Sequence, residues 1–139
     1  MKVRPAALIV HNHHLLTLKY SYSKGNIYAL PGGNLEFGEE LAAALERELL
    51  EEITLKAKVG NIRFIAEVFN ENVNTIHFVF EVLSYEGVPT LNPSETTAEE
   101  IVWLPLQNIQ DFMLYPNIGE YINEDTASLF LGVIDQPRY

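Results

Sequence analysis

A short apolar run, a glycine-rich turn and a long amphipathic segment follow one another between residues 27 and 53, and this succession constrains the fold most. The run Ile27–Leu30 predicts a strand, and Pro31–Gly33 predicts a turn. Over Glu40–Ile53 apolar side chains recur at helical spacing, so we expect a helix with one face packed on a sheet. The order strand, turn, helix is typical of folds that combine sheets with helices.

Three glutamates of the predicted helix, Glu48, Glu51 and Glu52, stand at positions i, i+3 and i+4, so their side chains converge on one patch. Glu52 projects into the apolar stripe, where a carboxylate is costly unless something pairs with it. Clustered carboxylates also raise one another's pKa values when no cation lies among them. A hard divalent cation such as Mg²⁺, which takes oxygen ligands, answers both problems. A solvated acidic helix face is the alternative interpretation.

Six residues match the Nudix box, which reads Gly-x5-Glu-x7-Arg-Glu-U-x-Glu-Glu-x-Gly-U with U aliphatic: Gly33, Glu39, Arg47, Glu48, Glu51 and Glu52. The chain therefore resembles the Nudix hydrolases, which use a divalent metal to cleave a nucleoside diphosphate linked to another moiety. The resemblance implies an α/β fold, an α/β/α sandwich with a mixed β-sheet, as a single domain over residues 1–139.

The resemblance also implies roles for the box residues. The carboxylates of Glu48, Glu51 and Glu52 and the carbonyl of Gly33 would bind Mg²⁺ or Mn²⁺, directly or through water. A water molecule would then attack phosphorus in line.

Outside the metal ligands, the resemblance implies that Arg47 belongs to the catalytic machinery and pairs with Glu39 to hold the loop against the helix. Family members often supply a further ligand or base from a late acidic loop, which makes Glu100, or Glu99 beside it, a candidate. A solvated loop pair is the alternative, and the residues leave open which glutamate is the base.

Four residues are candidates for substrate binding. Arg4 and Arg63 would meet a phosphate or a base edge. Tyr28 fills the position where the family often has tryptophan, and Gly32 belongs to the glycine turn. Packing is the alternative role for Tyr28, since an aromatic body with a polar tip suits a core edge.

Thr54 stands where the box has its second glycine. A glycine just past a helix end usually supplies a left-handed residue, a conformation that a β-branched side chain adopts poorly. We therefore expect this helix to end without a left-handed residue.

Other polar and aromatic residues allow two interpretations each. The histidines at 11, 13 and 14 suit a metal site, but a polar hairpin turn explains them better. His77 would line a pocket or be an ordinary half-buried strand residue. Tyr20, Tyr22 and Phe69 would stack on a base or pack at the rim of the core.

The remaining pattern predicts strands and short helices in mixed order. Strands are expected at 3–10, 15–20, 58–69, 75–83, 101–104 and 128–134. Pro105 is expected to start a helix near 106–112, with another turn or two at 118–123, and 85–98 reads as a polar loop.

Composition limits the kinds of partner that we expect the chain to bind. With 139 residues the chain can bury a sizeable core, and the net charge of −10 argues against nucleic acid and against an anionic membrane as partners. The run Ala6–Val10 is too short for a signal segment or a membrane span. The absence of cysteine fits a cytoplasmic protein. We expect a small nucleotide as the partner, and a homodimer is left open.

The substrate is the least constrained feature. Downstream markers of family subgroups that cleave ADP-ribose, dinucleoside polyphosphates or NADH are absent, which leans toward a nucleoside triphosphate or related nucleotide. An ADP-ribose or nucleotide-sugar pyrophosphatase is one alternative. A Nudix-like module that binds a nucleotide without cleaving it is another, although all three metal-ligand glutamates are present.

Overall fold

The structure, a computed structural model, describes residues 1–124 and 128–137. Its elements in chain order are β1 Lys2–Leu8, β2 Val10–His11, β3 His14–Tyr22, β4 Gly25–Ala29, α1 Leu41–Ile53, β5 Lys56–Phe69, β6 Asn74–Glu86, β7 Glu100–Pro105, a 3₁₀ segment Leu106–Asp111, β8 Leu114–Tyr115, α2 Gly119–Ile122 and β9 Phe130–Val133. No helix in these two ranges has the length and apolar character that crossing a membrane requires.

The strands form two mixed sheets, where the sequence predicted one. In the first the order is β1-β6-β5-β9, with β1 parallel to β6, β6 antiparallel to β5 and β5 parallel to β9. In the second the order is β2-β3-β4-β8, and β7 also pairs with β3. The pairing of β1 with β6 sets Arg4 beside His77.

Two apolar cores lie on the two faces of this arrangement, because neighbouring strand residues point in opposite directions. Ala6 and Leu15 belong to the core that contains the 3₁₀-segment residue Ile109. Their neighbours Ala7 and Leu16 belong to the core that receives helix α1. Helical elements on both faces confirm the predicted α/β class.

Helix α1 buries the predicted stripe, with Leu45, Leu49 and Ile53 fully inaccessible to solvent. Its end contradicts the expectation from sequence, since Thr54 is left-handed, with φ 61° and ψ 27°. The Thr54 N–H bonds the Leu50 carbonyl at 3.2 Å, and its hydroxyl donates to the Thr90 carbonyl at 2.8 Å. These tertiary contacts hold threonine in a conformation that its branched side chain disfavours.

Several element bounds also differ from the expectation. Strand β6 continues to Glu86, so Tyr85 lies in a strand and not in the predicted loop. A 3₁₀ segment replaces the helix expected after Pro105, and β8 was not predicted. Asn12 and His13 have positive φ in the turn between β2 and β3, which supports the hairpin interpretation of the histidines.

Candidate active site

The glycine turn lies directly against helix α1 and strand β1. A Cβ atom at Gly33 would collide with the carboxyl group of Glu48, and one at Gly32 would collide with the backbone oxygen of Pro5. Fixed backbone therefore requires glycine at position 32, whereas a side chain at position 33 would push the Glu48 carboxyl group away. The turn brings the backbone of Gly33 next to the first box glutamate of the helix.

Arg47 is the centre of a carboxylate network on this side of the helix. Its Nε and Nη2 atoms donate to the two oxygens of Glu39 at 2.8 and 3.0 Å, so the predicted pairing is present. Its Nη1 donates to Glu48 at 3.1 Å and to Glu51 at 3.0 Å. The hydrogen bonds from Arg47 lower the pKa of Glu39, and the Glu39 carboxylate raises the pKa of Arg47. One guanidinium thus joins the turn to the helix.

Glu52 lies on the buried side of α1, with 9% of its surface exposed. Burial raises its pKa to about 8, and the adjacent Glu48 carboxylate adds to the rise. The positive charge of Arg4 and a hydrogen bond from Thr96 oppose this shift. The predicted conflict between a carboxylate and an apolar stripe is therefore real in the folded chain.

Residues 93–97 form a loop over Glu52. Tyr20 and Glu52 line a small depression together with Glu95 and Thr96, and the Tyr20 and Thr96 hydroxyls lie 3.3 Å apart. Sequence reasoning placed the late acidic contribution at Glu99 and Glu100 and missed these two loop residues. The turn-forming residues at 92–94 mark a loop, but only the fold shows which of its side chains reach the helix.

Glu99 and Glu100 are engaged elsewhere. Glu100 forms a 3.6 Å ion pair with Lys19 and its side chain is 60% exposed. Glu99 accepts a hydrogen bond from the Ser21 hydroxyl at 2.8 Å. The structure therefore places both on the rim formed by β3 and β7, while Glu95 shares the depression with Glu52.

Arg4 connects the acidic cluster to the first sheet. Its Nη2 donates to the Leu30 carbonyl at 2.8 Å, just before the glycine turn. Its guanidinium interacts electrostatically with both Glu52 and Glu48, although burial lowers its pKa. Of the four substrate-binding candidates, Arg4 and Gly32 lie at the cluster.

Tyr28 and Arg63 lie in other surroundings. The Tyr28 ring meets Phe112 edge-on, with centroids 5.5 Å apart, which is the packing role allowed by sequence. The Arg63 guanidinium stacks 4.4 Å from the Phe64 ring centroid and donates to the Glu124 carbonyl at 3.4 Å.

The residue types at the cluster fit a hard divalent cation. The donors are carboxylate oxygens and a carbonyl oxygen. Burial and the neighbouring Glu48 raise the pKa of Glu52 although Arg4 lies nearby, so a bound cation would stabilise the charged form. Across the described part of the chain, however, no three acidic or histidine side chains are already arranged as a metal site. Arg47 holds one oxygen of Glu48 and one of Glu51, which leaves the second oxygen of each carboxylate for a cation.

Known proteins resemble this chain in sequence. A family model described as the NUDIX domain matches residues 1–124. The oxidized purine nucleoside triphosphate hydrolase of Danio rerio is 33% identical over 93 residues, which are 54% of this chain and 58% of that protein. The match thus spans little more than half the length of the relative.

Solved structures show the same fold. The ORF135 protein of E. coli superposes with a TM-score of 0.72 at 22% identity, covering 86% of this chain and 84% of that one. The MutT protein of Methanosarcina mazei Go1 gives 0.72 at 22% identity, covering 86% and 88%.

Proposed function

This chain belongs to the Nudix hydrolase family, and from that premise we propose that it hydrolyses a pyrophosphate bond of a nucleoside triphosphate or related nucleotide with Mg²⁺ or Mn²⁺. The observation that carries the proposal is the buried carboxyl of Glu52, whose pKa is raised to about 8 beside Glu48 at the glycine turn. A carboxyl group so placed is costly in a purely structural role and useful where a cation binds.

Different residues of the site would bind the cation, position the glycine turn, bind phosphate and accept a proton. Glu48, Glu51, Glu52 and the Gly33 carbonyl would hold the cation, which when bound polarises a phosphoryl oxygen and activates water. Arg47, clamped to Glu39, fixes the turn against the helix so that these oxygens stay together. Arg4, which interacts with Glu52 and Glu48, would meet the phosphate chain. The proton of the attacking water would pass to a box carboxylate or to Glu95, which lines the depression at Glu52.

Two facts support the proposed substrate class. The relative from Danio rerio is named for oxidized purine nucleoside triphosphates, and its identity to this chain over 93 residues is 33%. The absence of downstream subgroup markers points in the same direction. A free nucleotide also suits an acidic protein, because the cation and Arg4 supply local positive charge.

A substrate screen tests the proposal. Nucleoside di- and triphosphates, ADP-ribose, nucleotide sugars and dinucleoside polyphosphates are incubated with the protein and Mg²⁺ or Mn²⁺, and released phosphate or pyrophosphate is measured. We expect a nucleoside triphosphate to be among the best substrates and turnover to stop in excess EDTA, because the ligands are hard oxygens. Full turnover of every active substrate in EDTA would contradict the proposal.

A further inference from the structure

Three buried nitrogen atoms have no hydrogen-bonding partner among residues 1–124 and 128–137: Nη1 of Arg4 and both ring nitrogens of His77. His77 is completely inaccessible to solvent. An unpaired buried polar group lowers the stability of the fold, and such groups are rare in folded proteins. Their presence on adjacent residues of β1 and β6 calls for a functional explanation.

The two side chains share one aromatic cover, Tyr115. The Arg4 guanidinium carbon lies 5.4 Å from the centre of the Tyr115 ring. The His77 ring meets the same ring edge-on, with centroids 4.9 Å apart and planes at 89°. The three side chains therefore form one buried group, which we call the Arg4–His77–Tyr115 recess.

A surface depression of about 510 Å³, separate from the depression at Glu52, reaches the recess only at Tyr115. Tyr115 is part of its lining, and Phe69 supplies a second aromatic ring. On its other side Arg4 interacts with Glu52 and Glu48. Arg4 thus interacts both with the glutamates, where a polyphosphate would bind, and with Tyr115, where a planar ring would lie.

The chemistry of the recess selects a particular base edge. Burial, aided by the charge of Arg4, lowers the pKa of His77 to about 3, so its ring is neutral and offers one donor and one acceptor. Arg4 Nη1 offers only donors. The complementary group is a lactam, a ring C=O beside a ring N–H. Guanine, hypoxanthine and uracil contain this group, and adenine and cytosine do not.

We propose that the Arg4–His77–Tyr115 recess reads the lactam edge of a nucleobase. In the proposed complex the base carbonyl would accept from Arg4 Nη1 and the base N–H would donate to one nitrogen of His77. Because His77 is inaccessible, the Tyr115 ring would have to turn aside to admit the base. The proposal rests on the proposed function for its ligand class. It extends that function by naming His77 as a specificity-determining residue.

Binding without chemistry tests the inference. Inosine and adenosine 5′-monophosphates differ at the purine 6-position, where one has a lactam and the other an amino group. We expect calorimetric titration to show at least about tenfold tighter binding of the inosine nucleotide, because a site built for hydrogen bonds rejects a ligand that leaves them unmade. In His77→Leu the preference should fall to within about twofold. The same protein should melt at or above the parent temperature, since an unpaired polar group is removed.

Two further variants keep the test decisive. Arg4→Lys retains the positive charge near Glu52 but lacks the second terminal nitrogen, so it should also lose the preference. His13→Asn, in the exposed β2–β3 turn, removes an imidazole elsewhere and should keep it. Equal affinity of the parent for both nucleotides, binding of neither at millimolar concentration, or an unchanged preference in His77→Leu would overturn the inference. Failure of the proposed function shows separately, as a lack of turnover in the substrate screen.

Discussion

The Glu52 side chain is a carboxyl group buried among apolar residues of helix α1. Its place on the helical wheel, between the apolar residues of the stripe, was readable from the sequence because the helical period fixes which residues share a face. The size of the pKa shift of Glu52 was not readable from the sequence. It depends on burial in the folded chain and on Arg4 and Thr96, which come from distant parts of the chain.

Replacing Glu52 by glutamine separates chemistry from folding. Glu52→Gln should lower turnover by two orders of magnitude or more, on the scale of ~3 kcal/mol of transition-state stabilisation. Without metal it should raise the free energy of unfolding at pH 7, by up to about 3 kcal/mol, because the parent must keep a proton on Glu52 in order to fold. An assay on the best substrate and urea melts with and without Mg²⁺ measure both effects.

The pH dependence follows from the same shift. The pKa of Glu52 is raised from its ordinary value of 4.5 to about 8, so the folded state binds the proton more tightly than the unfolded state. The metal-free parent therefore loses stability relative to Glu52→Gln as pH rises from about 4.5 to 8, and the difference is small at pH 4. A constant difference across this range, with activity within a fewfold of the parent, would exclude Glu52 as the metal ligand.

Thr54 shows where a local rule fails. The rule that branched residues avoid the left-handed region is a statement about the isolated backbone, and here hydrogen bonds to Leu50 and Thr90 outweigh it.

The backbone strain at Thr54 should appear when its side chain is removed in steps. Thr54→Ala loses the hydroxyl but keeps the Cβ atom, and Thr54→Gly loses both. We expect the glycine protein to be about 1 kcal/mol more stable than the alanine protein in denaturant melts. The reverse order would show that Thr54 is not strained.

At the scale of elements, the segment after β6 holds the C-terminal end of α1. The Asn92 backbone N–H donates to the Glu52 carbonyl at 2.9 Å, and its side chain donates to the Glu51 carbonyl at 3.1 Å. The Thr90 N–H donates to the Ile53 carbonyl at 2.9 Å. These contacts satisfy carbonyls that a helix end leaves unpaired, and they set Thr96 over Glu52.

Asn92 variants test this capping. Asn92→Ala loses the side-chain bond to the Glu51 carbonyl and the two that Asn92 Oδ1 accepts from the backbone N–H and hydroxyl of Ser94, so it should lower the free energy of unfolding by about 1–3 kcal/mol. Asn92→Asp keeps the acceptor for Ser94 but loses the donor and adds a negative charge near the helix C-terminus, so it should cost about 1 kcal/mol. Urea unfolding of the three proteins at pH 7 gives the comparison. If the aspartate protein matches the parent, the side-chain contact contributes nothing.

At the scale of the whole molecule, the sequence predicted the class of fold and the convergence of the box residues, but not their surroundings. Periodicity and the Gly33-to-Glu52 spacing are local, so helix α1 and its carboxylates followed from them directly. The division into two sheets depends on long-range strand pairing, which no local pattern encodes. The recess around His77 was equally hidden, because Arg4 and Tyr115 approach it from opposite ends of the chain.

Arg4 interacts with the carboxylates of Glu52 and Glu48 and with the Tyr115 ring of the recess, and this limits how the proposed base preference can be changed by mutation. Its guanidinium helps to set the charge balance at Glu52 and also touches the aromatic cover of the recess. If the proposed roles hold, any exchange at Arg4 changes rate and base preference together, and a library built on that position would select compromises. His77, whose charged neighbour is Arg4, lies one side chain further from the carboxylates. Directed evolution toward a new base should start at His77.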